Sequence, residues 1–207
     1  MNQTKNTINI AIVGLGGQGI ITLSKLIINT YIQMGQKACM NEIHGLSQRG
    51  GSVQSLLRIG DSNCPVFASN DTDFIIGLEK METIRYLYSA KKAKAKVVLA
   101  NYYEIRNTAD LGLEVFPKNE IIDKEIEKYV QEMYIFETLD FEKSFKPKFK
   151  PVNVAVFSAL TEIPELNMDK NLAKKVMLDI LGKNIILKRI NERAFDQGTK
   201  WIKKRVG

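Results

Sequence analysis

Residues 8–13, INIAIV, pass directly into GLGGQG at 14–19 and then into IITLSKLIINTYIQMG at 20–35. No other succession in the chain narrows the fold as much. A short, mostly apolar run ended by glycines has the form of a buried strand entering a tight turn. From Gln18 onward the apolar positions Ile20, Leu23, Leu26, Ile27 and Tyr31 recur every three or four residues, which predicts a helix stopped at Gly35. Residues 37–41 supply a second strand. Together these predict a strand–helix–strand unit with parallel pairing of its strands and a right-handed crossover.

The alternation continues. VQSLLRI at 53–59 and the brief run at 74–77 read as strands, 79–88 has helical spacing through Met81, Ile84, Leu87 and Tyr88, and KVVLA at 96–100 is another strand. Residues 121–130 predict an amphipathic helix with Ile121, Ile122, Ile126, Tyr129 and Val130 on one side. The stretch at 144–153 reads as a loop, followed by helical segments at 152–162, 168–181 and 186–204. The expected class is α/β: a Rossmann-like, open, mostly parallel sheet flanked by helices, with a helical C-terminal part. A length of 207 residues fits one domain, expected to span 1–207.

Composition removes several function classes. With 44% hydrophobic and 26% charged residues the chain has the make-up of a soluble globular protein, and no apolar run approaches the roughly eighteen residues of a spanning helix. The N-terminal residues have the form of neither a signal nor a transit peptide, so a cytoplasmic protein without membrane association is expected. The net charge of +7 gathers partly in lysine-rich stretches at 91–96, 143–150 and 200–205. These lie far apart without a nucleic-acid motif and read as solvated faces; no nucleic-acid partner is expected. An acidic partner or a phosphate-bearing ligand fits the same charge. Cys39 and Cys64 stand alone, too few for an iron–sulfur cluster or a four-cysteine zinc site, and a disulfide between them is not expected in a reducing compartment. His44 is the only histidine, so no metal site is expected here.

Gly14, Gly16 and Gly19 satisfy GxGxxG after a strand and into a helix, where glycine permits a phosphate to approach helix N-terminal amides. A loop kept small only for helix–strand packing has the same pattern. Ile20 stands where a Walker loop needs lysine. Glu42, near the end of the second strand, matches the carboxylate that a dinucleotide-binding domain aims at the adenosine ribose, which keeps a free-standing NAD-dependent dehydrogenase open.

The next segment argues for something else. His44, Gly45, Leu46, Ser47, Gln48, Arg49, Gly50, Gly51 and Ser52 put three glycines, two hydroxyls, an amide, a guanidinium and the sole imidazole into nine residues. In an open α/β sheet it is expected to meet the first glycine loop at the carboxyl edge of adjacent parallel strands. Arg49 before two glycines could offer an anion a planar fork and free amides. A turn closed by its own hydrogen bonds, with Arg49 paired to a carboxylate, is the structural alternative.

The pair GLGGQGIITLSKLI and NEIHGLSQRGGSVQSLLRIG resembles the gamma-type domain of the 2-oxoacid:ferredoxin oxidoreductases. The resemblance continues through DTDFIIGLEKMETIRYL, VVLAN, NVAVFSALTEIP and INERAFDQG, and EIHG before QRGG favours the indolepyruvate branch. It implies a small subunit whose large (alpha) catalytic partner, in a hetero-oligomer, carries thiamine diphosphate, magnesium and iron–sulfur clusters, passes electrons to ferredoxin and uses coenzyme A as co-substrate. By the same resemblance Gly14, Gly16, Gly17, Gln18 and Gly19 match the first family motif. Glu42, His44, Gly45, Ser47, Gln48, Arg49, Gly50, Gly51 and Ser52 match the second, as ligand-binding or interface residues. The lysine-rich region at about 101–150 departs from the family pattern. A subunit that serves assembly alone is a further alternative.

Overall fold

The computed structural model describes residues 7–44, 50–89, 95–102, 117–130, 132–145 and 151–206. Seven strands form one sheet in the order β2-β3-β1-β4-β5-β6-β7: β1 Thr7–Leu15, β2 Ala38–His44, β3 Ser52–Gly60, β4 Phe74–Gly77, β5 Lys96–Ala100, β6 Glu132–Phe136 and β7 Ile202–Val206. Strands β1, β4, β5 and β6 are neighbours in parallel, whereas β3 and β7 run against them and β2 runs against β3. Five of the seven strands thus share one direction.

The helices are α1 Ile20–Gln33, α2 Lys80–Ser89, α3 Asn119–Glu127, α4 Thr138–Lys143, α5 Val152–Leu160, α6 Lys170–Leu181 and α7 Ile185–Gly198. The central strands are apolar at nearly every position because both faces are covered. Their pleat divides the core: Ile10, Ile12, Phe74, Ile76, Val98 and Phe136 point to the face covered by α1, α5, α6 and α7. Ala11, Val13, Ile75, Val97, Leu99 and Ile135 point to the face of α2 and α3. Helix α1 stops as its glycine predicts. Gly35 has φ +78°, and the amides of Gln36 and Gly35 donate to the carbonyls of Tyr31 and Ile32, a Schellman closure.

Three differences from the sequence expectations have physical causes. First, β1 and β2 do not pair; β3 returns antiparallel and lies between them. Strand β3 buries Val53, Ser55, Leu56, Leu57 and Ile59, while Cys39, Met40, Asn41 and Glu42 of β2 are only half-buried and Ile43 is exposed, so the more apolar strand takes the interior place. Second, β6 and α4 fill a region for which no element was expected. Third, the helix expected to run to 204 ends at Gly198, and β7 closes the sheet. With lysines and an arginine at 203–205, β7 has the charged composition of an edge strand.

Candidate functional site: a crevice at the glycine loop

Helix α1 lies on one face of the sheet and α2 on the other, so the chain reverses its winding between β1 and β4. Open α/β sheets hold ligands at such a reversal, outside the carboxyl ends of the strands. A crevice of about 240 Å³ opens there, lined by Gly17, Gln18, Gly19, Leu78, Tyr102, Glu142, Val152 and Asn153. Gly17–Gly19 follow β1, Leu78 follows β4, Tyr102 follows β5, and the far wall comes from α4 and the start of α5.

The local chemistry of the loop explains its residue types. Gln18 folds back so that its Oε1 accepts from the Leu15 amide at 2.8 Å, while the Gln18 amide donates to the Leu15 carbonyl at 3.1 Å. A Cβ on Gly14 would lie 2.6 Å from that Oε1 and 3.2 Å from Leu78 Cβ, so Gly14 makes room for the side chain that braces the turn. Gly19 caps α1 in the left-handed region at φ +82°, and any Cβ there would run into Asn153. No side chain caps α1 and no acidic residue occupies its first turn, which leaves its N-terminal amides to water or to an anion.

The second glycine-rich segment does meet the first. The Gly16 amide donates to the Gly51 carbonyl at 2.8 Å, and the Gly50 amide donates to the Gly16 carbonyl at 3.3 Å. Ser52 begins β3 opposite Leu15, and His44 ends β2 opposite Val53. Gly45, Ser47, Gln48 and Arg49 lie outside the described residues. Glu42 pairs with Ser55 of β3, and Ser55 with Ile12 of β1. Its strand therefore stands two places from β1, about 9.6 Å at the usual strand spacing, whereas a dinucleotide domain sets the ribose carboxylate on the adjacent strand.

Asn153 escaped the sequence reading. It is the polar residue in the first turn of α5, VNVAVFSAL, whose one other polar residue is the buried Ser158. Its Nδ2 donates to the Gly19 carbonyl at 3.4 Å and its Oδ1 accepts from the Val154 amide at 3.0 Å, joining the starts of α5 and α1. An isolated amide inside a buried run was the available signal. Among the described residues no group of three or more His, Cys, Asp or Glu side chains is placed to hold a metal, and no helix is long and apolar enough to cross a membrane.

Comparison with known proteins agrees with this architecture. The model of the pyruvate ferredoxin/flavodoxin oxidoreductase family matches residues 9–201. Indolepyruvate oxidoreductase subunit IorB of Thermococcus kodakarensis is 32% identical over 206 residues, covering 96% of this chain and 98% of the relative. The same subunit of Pyrococcus horikoshii is 32% identical over 200 residues, covering 94% and 96%. Among solved structures, the pyruvate oxidoreductase subunit PORC of Thermotoga maritima superposes with a TM-score of 0.71 at 14% identity, covering 97% of this chain and 99% of that one. The 2-oxoglutarate:ferredoxin oxidoreductase of Magnetococcus marinus, solved with 2-oxoglutarate, coenzyme A and succinyl-CoA bound, gives 0.70 at 21% identity, covering 95% of this chain but 31% of its own. With a family model spanning nearly all of the sequence and relatives matched from end to end, the chain belongs to the pyruvate ferredoxin/flavodoxin oxidoreductase family.

Proposed function

We propose that this chain is the small subunit of an indolepyruvate:ferredoxin oxidoreductase, a single gamma-type domain working in the cytoplasm beside a larger catalytic subunit. The carrying observation is that relatives matched over nearly their whole length are indolepyruvate oxidoreductase subunits. The reaction converts an aryl pyruvate, coenzyme A and two oxidised ferredoxins into the acyl-CoA, carbon dioxide, a proton and two reduced ferredoxins.

The donor set supports a division of labour. Iron–sulfur clusters take about four thiolates each, and this chain has two cysteines in all, one half-buried and one exposed. This supports assigning the clusters to the larger subunit, and with them, by the family resemblance, magnesium and thiamine diphosphate. Thiamine diphosphate supplies the electron sink for decarboxylation there. This chain's contribution lies at the crevice. Gly17 is exposed and Gly19 carries no side chain, so a phosphate can approach the amides that open α1. Glu142 and Asn153 on the far wall offer oxygen acceptors to amide N–H groups. Coenzyme A carries both phosphates and an amide-bearing arm, and it fits this pairing of walls.

The test is co-purification from the native cell, then viologen reduction driven by indolepyruvate, pyruvate or 2-oxoglutarate. Activity greatest with indolepyruvate is expected; an isolated chain that reduces NAD would overturn the proposal. Arg49→Lys in the assembled enzyme is expected to raise the KM for coenzyme A by roughly ten- to a hundredfold, because lysine offers a phosphate a point charge where arginine can offer a two-pronged fork. Loss of subunit association instead would make Arg49 an interface residue.

A further inference from the structure

A second groove, about 440 Å³, lies between α1, α5, α6 and α7, and Asn153 lines both it and the glycine crevice. Its apolar walls are Val154, Ile180, Leu181, Leu187 and Ile190. In the first turn of α7, next in sequence to the lining residues Lys183 and Leu187, Ile185 and Ile186 each stand 63% exposed. Asn184 caps α7, its Oδ1 accepting from the Ile186 and Leu187 amides at 3.1 and 2.9 Å, which fixes the backbone that carries them. Two adjacent exposed aliphatic side chains, on the helix that walls an apolar groove, have the form of an interface centre. Around them Lys183, Lys188 and Arg189 are exposed, and among the described residues none of their side chains meets a carboxylate.

We infer that this face, centred on Ile185 and Ile186, docks the larger subunit of the oxidoreductase through an apolar segment flanked by acidic side chains. The inference rests on the subunit assignment above and adds where the partner sits. Three observations select that occupant. The unpaired cations call for acidic complement. The groove adjoins the crevice through Asn153, so a partner seated here lies beside the ligand that its own chemistry consumes. In the Magnetococcus marinus enzyme this same fold makes up less than a third of a longer chain, so there it is joined to further protein.

The experiment co-expresses the full chain with the larger subunit from the same cell and measures association by titration and light scattering. The double variant I185E/I186E is expected to weaken association by roughly a hundredfold or more, with an unchanged circular dichroism spectrum and Tm. Val66→Glu, at another exposed aliphatic 57% accessible and distant in sequence, is the control and leaves association intact. K188E/R189E slows association and flattens its salt dependence. Wild-type affinity in I185E/I186E overturns the inference while leaving the subunit assignment standing; a wild-type chain that binds no larger subunit overturns both. A wild-type homodimer that the double variant converts to monomer assigns the face to a second copy and also overturns it.

Discussion

The two faces of the sheet are built differently. Among the described residues, thirty-three buried apolar side chains form the core on the side of α1, α5, α6 and α7, against sixteen on the side of α2 and α3. The heavier side is held by interlocking apolar surfaces: Phe157 meets Phe195 edge-on at 6.0 Å, and Gly198 packs so closely on α5 that a Cβ would press on Ala155 backbone atoms. The lighter side relies on polar ties. Lys80, with a side chain 2% exposed, reaches Asp123 of α3 at 2.5 Å, and the Tyr88 hydroxyl donates to Glu125 of α3 at 3.1 Å beside an edge-on ring contact with Tyr129 at 5.4 Å. Both walls at the starts of α1 and α5 belong to the heavier side, so the crevice is framed by the better-packed half.

If this contrast is right, the largest loss of stability follows Phe157→Ala, about 3–5 kcal/mol in chemical denaturation. A loss below that of the polar-tie variants would break the comparison. On the lighter side Asp123→Ala is expected to cost about 1–3 kcal/mol by leaving the Lys80 ammonium buried without this carboxylate, whereas Lys80→Met should be close to neutral. Equal losses from both variants would show that the tie itself stabilises the fold.

Tyr31 sharpens the comparison through pH. Its hydroxyl donates to the Leu166 carbonyl at 2.5 Å, and burial pushes its pKa well above the usual value. The unfolded phenol titrates near 10, so this stabilisation is complete below about pH 10 and falls as pH rises from there toward the folded value. Tyr31→Phe should lower stability by about 1 kcal/mol at neutral pH and reduce the alkaline decline. A wild-type decline equally steep in the variant would point to other groups. The smallest change is Tyr88→Leu, about 0.5–1 kcal/mol, measured as a shift in denaturation midpoint.

Much of the architecture was legible in the sequence because its signals are local. The run into GLGGQG gave β1, its turn and α1; the spacing at 121–130 marked α3; and the apolar runs after 152 marked α5 and α6. The insertion of β3 was not legible, because strand order depends on competition between two neighbouring segments for a place beside β1. β7 is mostly cationic and presents no apolar run, while the MYIF of β6 is a run so short that periodicity alone leaves its state open. For the site, Gly14, Gly16 and Gly19 were visible from spacing alone. Asn153 was not, since its partner Gly19 is 134 residues away.

The pair of bonds at Gly16 carries the β1–β3 ladder one residue past Ser52, so that the lip of the crevice is an extension of the sheet. A lip made this way opens by unzipping from its end, and amide protons record such events. The Gly16 and Gly50 protons should exchange with one common rate, slower than a free loop and faster than Ile12 in the middle of β1. That rate times the separation of the two glycine segments, a clock that can be read without substrate, partner or turnover.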